Sequence, residues 1–486
     1  MQPIDIGDLV LDESVGSKQQ SLYLAIQSKI LRGEWKNQAR LPATRVLAAE
    51  MGLSRNTVTA VYEQLKAEGY IDSKPGAGYF VLLHPDYYLN TQAAALDSAD
   101  LDKSGETVFS SSTRNRPFSP GVPDLAHFPY KKWARLVQIQ MQRAVLAGQN
   151  DIQGSFALRQ ALSEYLLTSR SVVAPAHRII ITTGAQQALF IALNAIVRRG
   201  DKVLMENPGY TQMRKVLQQS GANVSYFSLA SQFNDDLSML DNFNGKALYL
   251  TPSNQYPMGH SIDTQARMRC IEWAVKTGGW IIEDDYDSEF QFANRPYPSL
   301  QGLATQLQGE RANVIYIGTF GKAFVPGIRV GYMAVPDGLV DACLSLKDAT
   351  TGCSPVHIEE ALAEFIKPGD YLRHIKKMRH LYQQKHTKFV ACLSSVYGGN
   401  IDVVSQPAGL HVTFRWQGGP DAYWVKNALA DKGFTLRTLD YYCDEESLHQ
   451  MPEWIHRCLV AGIGNSSLND IEEGLLALSD VFKAFG

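Results

Sequence analysis

Apolar residues recur at helical spacing early in the chain. Leu22, Ile26, Ile30 and Leu31 mark SLYLAIQSKILRG as a helix capped by Ser21 and stopped at Gly33. TRVLAAEMG predicts a second, shorter helix ended by Gly52. In LSRNTVTAVYEQLKAEGY the stripe Val58, Val61, Leu65 predicts a third, with Ser54 as its cap. Two short β runs then flank Lys-Pro-Gly-Ala-Gly in YIDSKPGAGYFVL, the pattern of a hairpin. Residues 84–116 are polar, rich in Ala, Ser, Asp and Thr, and without periodicity, which predicts a linker holding at most a short helix around Thr91–Leu96. From Phe118 onward, β-like runs alternate with amphipathic helices: RIIITTG before AQQALFIALNAIV, then DKVLMENPG, ALYLTPS, GGWIIEDDY and ANVIYIGTFGK. That is α/β wiring around a mostly parallel sheet, whose chemistry collects at the C-terminal ends of strands.

Length and composition narrow the class. The 486 residues imply two to four domains at roughly 100–200 residues each. A hydrophobic share of 45% with 20% charged residues excludes collagen-like, coiled-coil and wholly disordered chains. No apolar run is long enough to span a membrane, and the acidic N-terminal stretch is unlike a secretory signal. Six cysteines without a CxxC pair suit reduced thiols in the cytoplasm. The net charge of −3 hides an asymmetry: residues 18–80 carry nine basic against five acidic residues, an excess that suits a polyanion partner.

The first eighty residues give that partner a form. Two short helices joined by a Gly-containing turn make a helix-turn-helix, and the second presents Ser54, Arg55, Asn56 and Thr57 outward. Arginine suits guanine edges or phosphates, asparagine suits adenine, and hydroxyls suit phosphate oxygens. The hairpin adds a basic tip and glycines that allow close approach to a groove. LPATRVLAAEMGLSRNTVTAVYEQLKAEGYIDSKPGAGYFV closely resembles the winged-helix DNA-binding domain of GntR-type bacterial regulators. The resemblance implies Arg45, Arg55, Asn56, Thr57, Lys74 and Gly76 as DNA contacts.

In the larger part, four motifs fall at strand ends. Gly184-Ala185-Gln186 opens a helix after strand Ile179–Thr183, leaving backbone N–H groups for a phosphate. In GTFGKAFVPGIRVGY, Lys322 follows strand Val314–Ile317, close to Thr319 and seven residues before Arg329. A lysine in a dry pocket loses its charge and forms a Schiff base, and an arginine forks onto phosphate oxygens. GGWIIEDDYDSEF places Asp284, Asp285 and Tyr286 after an apolar strand. A buried carboxylate there keeps a facing heteroaromatic nitrogen protonated, while the same acids read otherwise form an acidic loop or hold a hard cation. Tyr210 in ENPGY suits stacking on a flat ring.

In this order the motifs resemble fold-type I, pyridoxal-phosphate-dependent aminotransferases across nearly all of residues 117–486. The resemblance implies Lys322 as the Schiff-base lysine, Asp284 as partner of the pyridinium nitrogen, Tyr286 as donor to the phenolic oxygen and Tyr210 as the stacking ring. Ala185, Gln186, Thr319 and Arg329 would hold the phosphate, and no metal is expected. Two positions depart from the family pattern: Gly321 replaces a serine before the lysine, and Tyr256 stands where an asparagine is usual, with Asn254 expected to supply that hydrogen bond instead. The arginine that meets a carboxylate in this class is expected at Arg457, taken to begin a β run, with Arg437 as its rival.

The whole chain is similar to the MocR subfamily of bacterial transcription regulators, with a winged helix at 15–83, a linker at 84–116 and an aminotransferase-like effector domain at 117–486. The resemblance implies a cytoplasmic, nucleoid-associated homodimer that binds pyridoxal 5′-phosphate and double-stranded operator DNA with paired half-sites. The state of Lys322 would control DNA binding or promoter output. The effector would be a small amine, an amino acid or pyridoxal phosphate itself. The expectation is a regulator with at most a residual transamination half-reaction. The alternative is a working aminotransferase with an ancillary DNA-binding domain.

Overall fold

The computed structural model describes residues 4, 9, 11, 17–82, 115–148, 150–228, 237–292, 298–396 and 400–485, and the chain divides into two compact units between residues 109 and 110. The first unit has helices Lys18–Leu31, Thr44–Glu50 and Arg55–Ala67, then an antiparallel hairpin of β1 (Ile71–Lys74) and β2 (Gly78–Val81). Leu22, Ile26 and Ile30 share one buried cluster with Val58, Val61 and Leu65, closed by Leu41, Ile71 and Val81. Arg40 bridges Phe80, and the Leu41 N–H donates to the Tyr79 carbonyl at 2.8 Å, so a short third strand lines the hairpin.

The first helix starts earlier than its pattern suggests. Ser17, in extended conformation, caps it by accepting from the Gln20 N–H at 3.2 Å. Ser21 is instead buried within the helix beside Leu22, facing the core and not the open helix end. The expected Thr91–Leu96 helix and the linker at 84–116 lie outside the described residues, apart from Asn115 and Arg116.

The second unit is built on β3 (Ile179–Thr182), β4 (Lys202–Asn207), β5 (Asn223–Ser228), β6 (Ala247–Leu250), β7 (Trp280–Asp285), β8 (Asn313–Thr319) and β9 (Gly331–Ala334). Their order in the sheet is β3-β9-β8-β7-β6-β4-β5. Strands β4 to β8 pair in parallel, while β9 runs antiparallel to both β8 and β3. Side chains alternate between two apolar layers: Ile281 and Val314 enter one cluster, Ile282, Ile315 and Ile317 the other. A smaller antiparallel sheet of β10 (Ile401–Val403), β11 (His411–Trp416), β12 (Arg437–Thr438) and β13 (Cys458–Gly462) has a separate core around Phe118, Phe414 and Trp416. No helix among the described residues is long and apolar enough to cross a membrane.

Register sets the working edge. Asp285 pairs with Gly318 and Leu250 with Glu283, so the parallel strands finish nearly level, and the residues that follow them share one rim. Gly331 of β9 passes this rim so closely that a methyl there would lie 2.7 Å from the Gly184 carbonyl carbon and 2.9 Å from the Ala185 nitrogen. Gly331→Ala must therefore push away the start of the Ala185–Ile196 helix. It is expected to cost about 1–3 kcal/mol, the range for overpacking, measured as a lower urea midpoint of the purified protein.

Candidate functional site

The winged-helix unit presents its basic residues to solvent. Ser54 caps the Arg55–Ala67 helix by accepting from the Thr57 N–H at 3.1 Å, and the two hydroxyls lie 2.8 Å apart. The cap leaves Arg55 and Asn56 exposed in the first turn. Arg45 is exposed in the first turn of the preceding helix. Lys74 is exposed at the end of β1, its ammonium 4.8 Å from the Phe80 ring centre and 3.3 Å from Gln38 Oε1. Gly76, at φ +72°, has open space where a side chain would be.

In the second unit, a cavity of about 430 Å³ opens at the rim of the parallel strands. Of the residues expected to hold pyridoxal phosphate, Lys322, Asp284, Tyr286, Tyr210, Ala185, Gln186, Thr319 and Arg329 all line it. Lys322 comes from the short Phe320–Ala323 helix that Thr319 caps, and its Nζ donates to the Gly121 carbonyl at 2.5 Å. Burial lowers the pKa of this amine, against the opposing pull of Asp287 and Asp284.

Asp284 is the electrostatic complement. One oxygen accepts from the Tyr249 hydroxyl at 2.9 Å, and the other is buried without a hydrogen-bond partner. Burial pushes its carboxyl up to about 7, with the Tyr249 bond pulling down, Asp285 adding to the rise and Lys322 opposing it. An orphaned buried oxygen is costly and calls for a donor, and a protonated ring nitrogen is one. Also lining the cavity, the first-turn N–H groups of Ala185 and Gln186 have no acceptor within their helix. Arg329 lies over Gly184, where a methyl would stand 3.2 Å from Nη2, and donates to the Thr183 carbonyl at 2.9 Å. Helix amides, a hydroxyl and a guanidinium make a phosphate cradle. The residues present therefore fit pyridoxal 5′-phosphate: donors for a phosphate, a buried amine and a carboxylate lacking a donor line one cavity.

The acids of EDDYD have separate partners. Asp285 Oδ2 takes Arg170 Nε at 2.7 Å and the Tyr316 hydroxyl at 2.6 Å. Asp287 accepts from Asn254 Nδ2 at 2.9 and 3.0 Å. No group of three or more His, Cys, Asp or Glu suited to a metal occurs among the described residues.

Two expectations need correction. Asn254 is not at the cavity wall, because its amide is spent on Asp287. Tyr256, two residues on, lines the cavity, with its hydroxyl 3.0 Å from that of Tyr442. Arg457 does not begin a strand: it ends a 3-10 turn, Glu453–Arg457, while β13 starts at Cys458. Its guanidinium lies 3.5 Å from Glu453 and outside the cavity lining. Arg437 of β12 does line the cavity, over the Tyr441 ring at 4.8 Å. Sequence reasoning also missed Asp287, His411, Tyr441, Tyr442 and Gly121. The aromatic pair after Arg437 was a signal for two of them, whereas nothing local marks Gly121 or His411.

Comparison with known proteins places both units. Residues 118–470 match the family described as aminotransferase class I and II, and residues 18–81 match the gntR family of bacterial regulatory proteins. MocR of Rhizobium meliloti, a probable rhizopine catabolism regulatory protein, is 30% identical over 98% of this chain and 96% of its own. PdxR of Corynebacterium glutamicum, an HTH-type pyridoxine biosynthesis transcriptional regulator, is 26% identical over 86% of this chain and 87% of its own. Among solved structures, the α-aminoadipate aminotransferase LysN of Thermus thermophilus, complexed with N-(5′-phosphopyridoxyl)-L-leucine, is similar with a TM-score of 0.68. It is 21% identical and covers 77% of this chain and 94% of its own.

The raised carboxyl of Asp284 has a testable sign. Between pH 3.8 and about 7 the unfolded chain gives up this proton before the folded one does, so the group's contribution to stability is lost as pH rises. The loss amounts to about 4 kcal/mol at most, from three pKa units at 1.36 kcal/mol each. Cofactor-free Asp284→Asn is expected to gain stability over the parent as pH goes from 5 to 8, compared by urea midpoints. An unchanged difference at the two pH values contradicts the assignment.

Proposed function

This chain belongs to the MocR-type regulators, in which a gntR-type winged helix precedes a class I and II aminotransferase domain, and we propose that its aminotransferase-like unit senses an amine and controls DNA binding. One observation carries the reading: the cavity with its buried carboxylate and buried lysine shares a chain with a winged helix for which an enzyme has no need.

Pyridoxal 5′-phosphate, when bound, supplies a carbonyl conjugated to an electron-withdrawing ring. Lys322 is the amine that reaches it, and burial favours the uncharged, nucleophilic form. Asp284 holds a proton on the ring nitrogen, gaining the donor its free oxygen lacks. Ala185, Gln186, Thr319 and Arg329 would hold the phosphate and Tyr210 would stack on the ring, while Tyr286, whose hydroxyl donates to the Asn254 carbonyl at 2.9 Å here, would turn to the ring oxygen. Once these groups are used, Arg437 is the cation left at the cavity for an acidic end of the effector. Arg45, Arg55, Asn56, Thr57, Lys74 and Gly76, with Ser54 as the cap that orders them, form the DNA-facing surface. The assembly is a cytoplasmic homodimer whose paired winged helices read paired half-sites, with residues 84–116 joining the units of each chain. An effector shifts the balance between two conformations only by as much as it favours one of them.

Arg55→Ala is expected to weaken operator binding by about 1–3 kcal/mol in a gel-shift titration, the worth of one good base-edge contact. Lys322→Ala is expected to yield colourless protein after reconstitution with pyridoxal phosphate and to keep DNA binding, but to lose its response to added amines. The second reading, a working aminotransferase, is favoured by the buried Lys322 amine in the cavity, whose pKa burial lowers. Sustained keto-acid release over many turnovers, abolished in Lys322→Ala, together with DNA affinity indifferent to amines and cofactor, decides for the enzyme.

A further inference from the structure

We infer that Arg40, on the short third strand of the wing, is a DNA-phosphate contact that works beside Lys74; the inference rests on the DNA-binding reading above. Strand geometry sets the stage. Phe80 pairs with Asp72 and bridges Arg40, and Gly78 pairs with Lys74. Residues two apart on a strand share a face, so Arg40, Asp72, Lys74 and Phe80 project from the same side of the sheet. Leu41, Ile71 and Val81 project from the other side, into the buried core. Arg40 and Lys74 therefore stand on the side turned away from the core.

The two cations share a platform. The Lys74 ammonium lies 4.8 Å from the Phe80 ring centre. The Arg40 guanidinium lies along bare Gly78, where a Cβ would stand 3.5 Å from Nε and 3.8 Å from Nη2. Gly78, at φ +105°, is a position that favours glycine, and its missing side chain keeps the surface over Arg40 open. Two positive groups on one face of a small sheet repel each other, and an anion over that face relieves the repulsion.

Among the described residues, no acid is paired with Arg40. Glu34 takes Lys29 at 2.5 Å, Glu63 accepts from the Tyr79 hydroxyl at 2.7 Å, and Glu68 is engaged by Tyr23 and Gln64. Asp72 shares the face, and its Oδ1 accepts from the Ser73 N–H at 2.7 Å. Arg40 is exposed, and its guanidinium has no hydrogen bond or ion pair among the described residues. Its strand is also held to the recognition helix, since the Tyr62 hydroxyl donates to the Pro42 carbonyl at 3.0 Å. An exposed, unpaired, anchored guanidinium beside a second cation fits a polyphosphate backbone.

The test is the salt dependence of binding by the full-length protein, followed by fluorescence anisotropy on a duplex from upstream of its own gene and on a scrambled duplex. Arg40→Gln is expected to weaken both duplexes by the same factor. It should also make the slope of log K against log salt shallower by about 0.9, the value of one phosphate contact on B-DNA. Arg40→Lys, which keeps the charge, is expected to keep the parent slope, a result that a purely structural role does not produce. Parent protein that binds DNA with a slope unchanged in Arg40→Gln, or a loss confined to one duplex, overturns the inference and leaves the regulator reading standing. Parent protein that binds neither duplex overturns both.

Discussion

The larger unit depends on one burial. Asp284 is carried to the end of a central strand, buried in the cavity wall and left with one oxygen unpartnered. A carboxylate placed there is costly, and burial pushes its pKa up to about 7. The protein tolerates it because the surrounding strands are covered on both faces, and because Tyr249 and Lys322 offset part of the penalty. The site is thus poised for a cationic ring: what destabilises the empty fold is what favours the ligand.

The same strand shows how close acids are kept apart in purpose. Glu283 and Asp285 point to one face of β7, with Ile281, and Asp284 to the other, with Ile282. On the first face, one Asp285 oxygen accepts from Arg170 and Tyr316 while its other stays buried without a partner, and Glu283 accepts the N–H groups of Leu300 and Gln301 at 2.8 and 2.9 Å. Those partners lock the strand in the sheet. On the second face no arginine is supplied, and the carboxylate is left for the cavity. A run of consecutive acids thus splits into structural and ligand-facing members by the two-residue period of the strand alone.

In the smaller unit the logic is reversed. Glu34, Glu63 and Glu68 are engaged by Lys29, Tyr79 and Tyr23, while arginines at 40, 45 and 55 keep their guanidinium groups unpaired among the described residues. A net excess of only a few charges is concentrated on exposed cations because several of the negative charges have other partners. Charge counting along the sequence points to a polyanion, but pairing in the fold decides which cations are left to meet it.

Much of this was legible in the sequence, for local reasons. Period and punctuation gave the three helices, the hairpin and the α/β wiring, and the order of motifs gave eight residues that line the cavity. Each is fixed by its neighbours along the chain: Lys322 by the strand before it, Ala185 and Gln186 by the helix they open, Asp284 by the apolar run that buries it. The sequence failed where a choice depends on residues far away. Asn254 and Tyr256 lie in one turn, and only Asp287, 33 positions beyond Asn254, decides that the amide turns inward and the phenol faces the cavity. Arg437 and Arg457 both look like a carboxylate-binding arginine, and the register of β12 on β13 with the turn before Cys458 separates them. Ser21 yielded its cap to Ser17 because core packing, which no local propensity encodes, claimed its side of the helix. Local chemistry names the candidates; long-range contact, which carries no signature in a single sequence, selects among them.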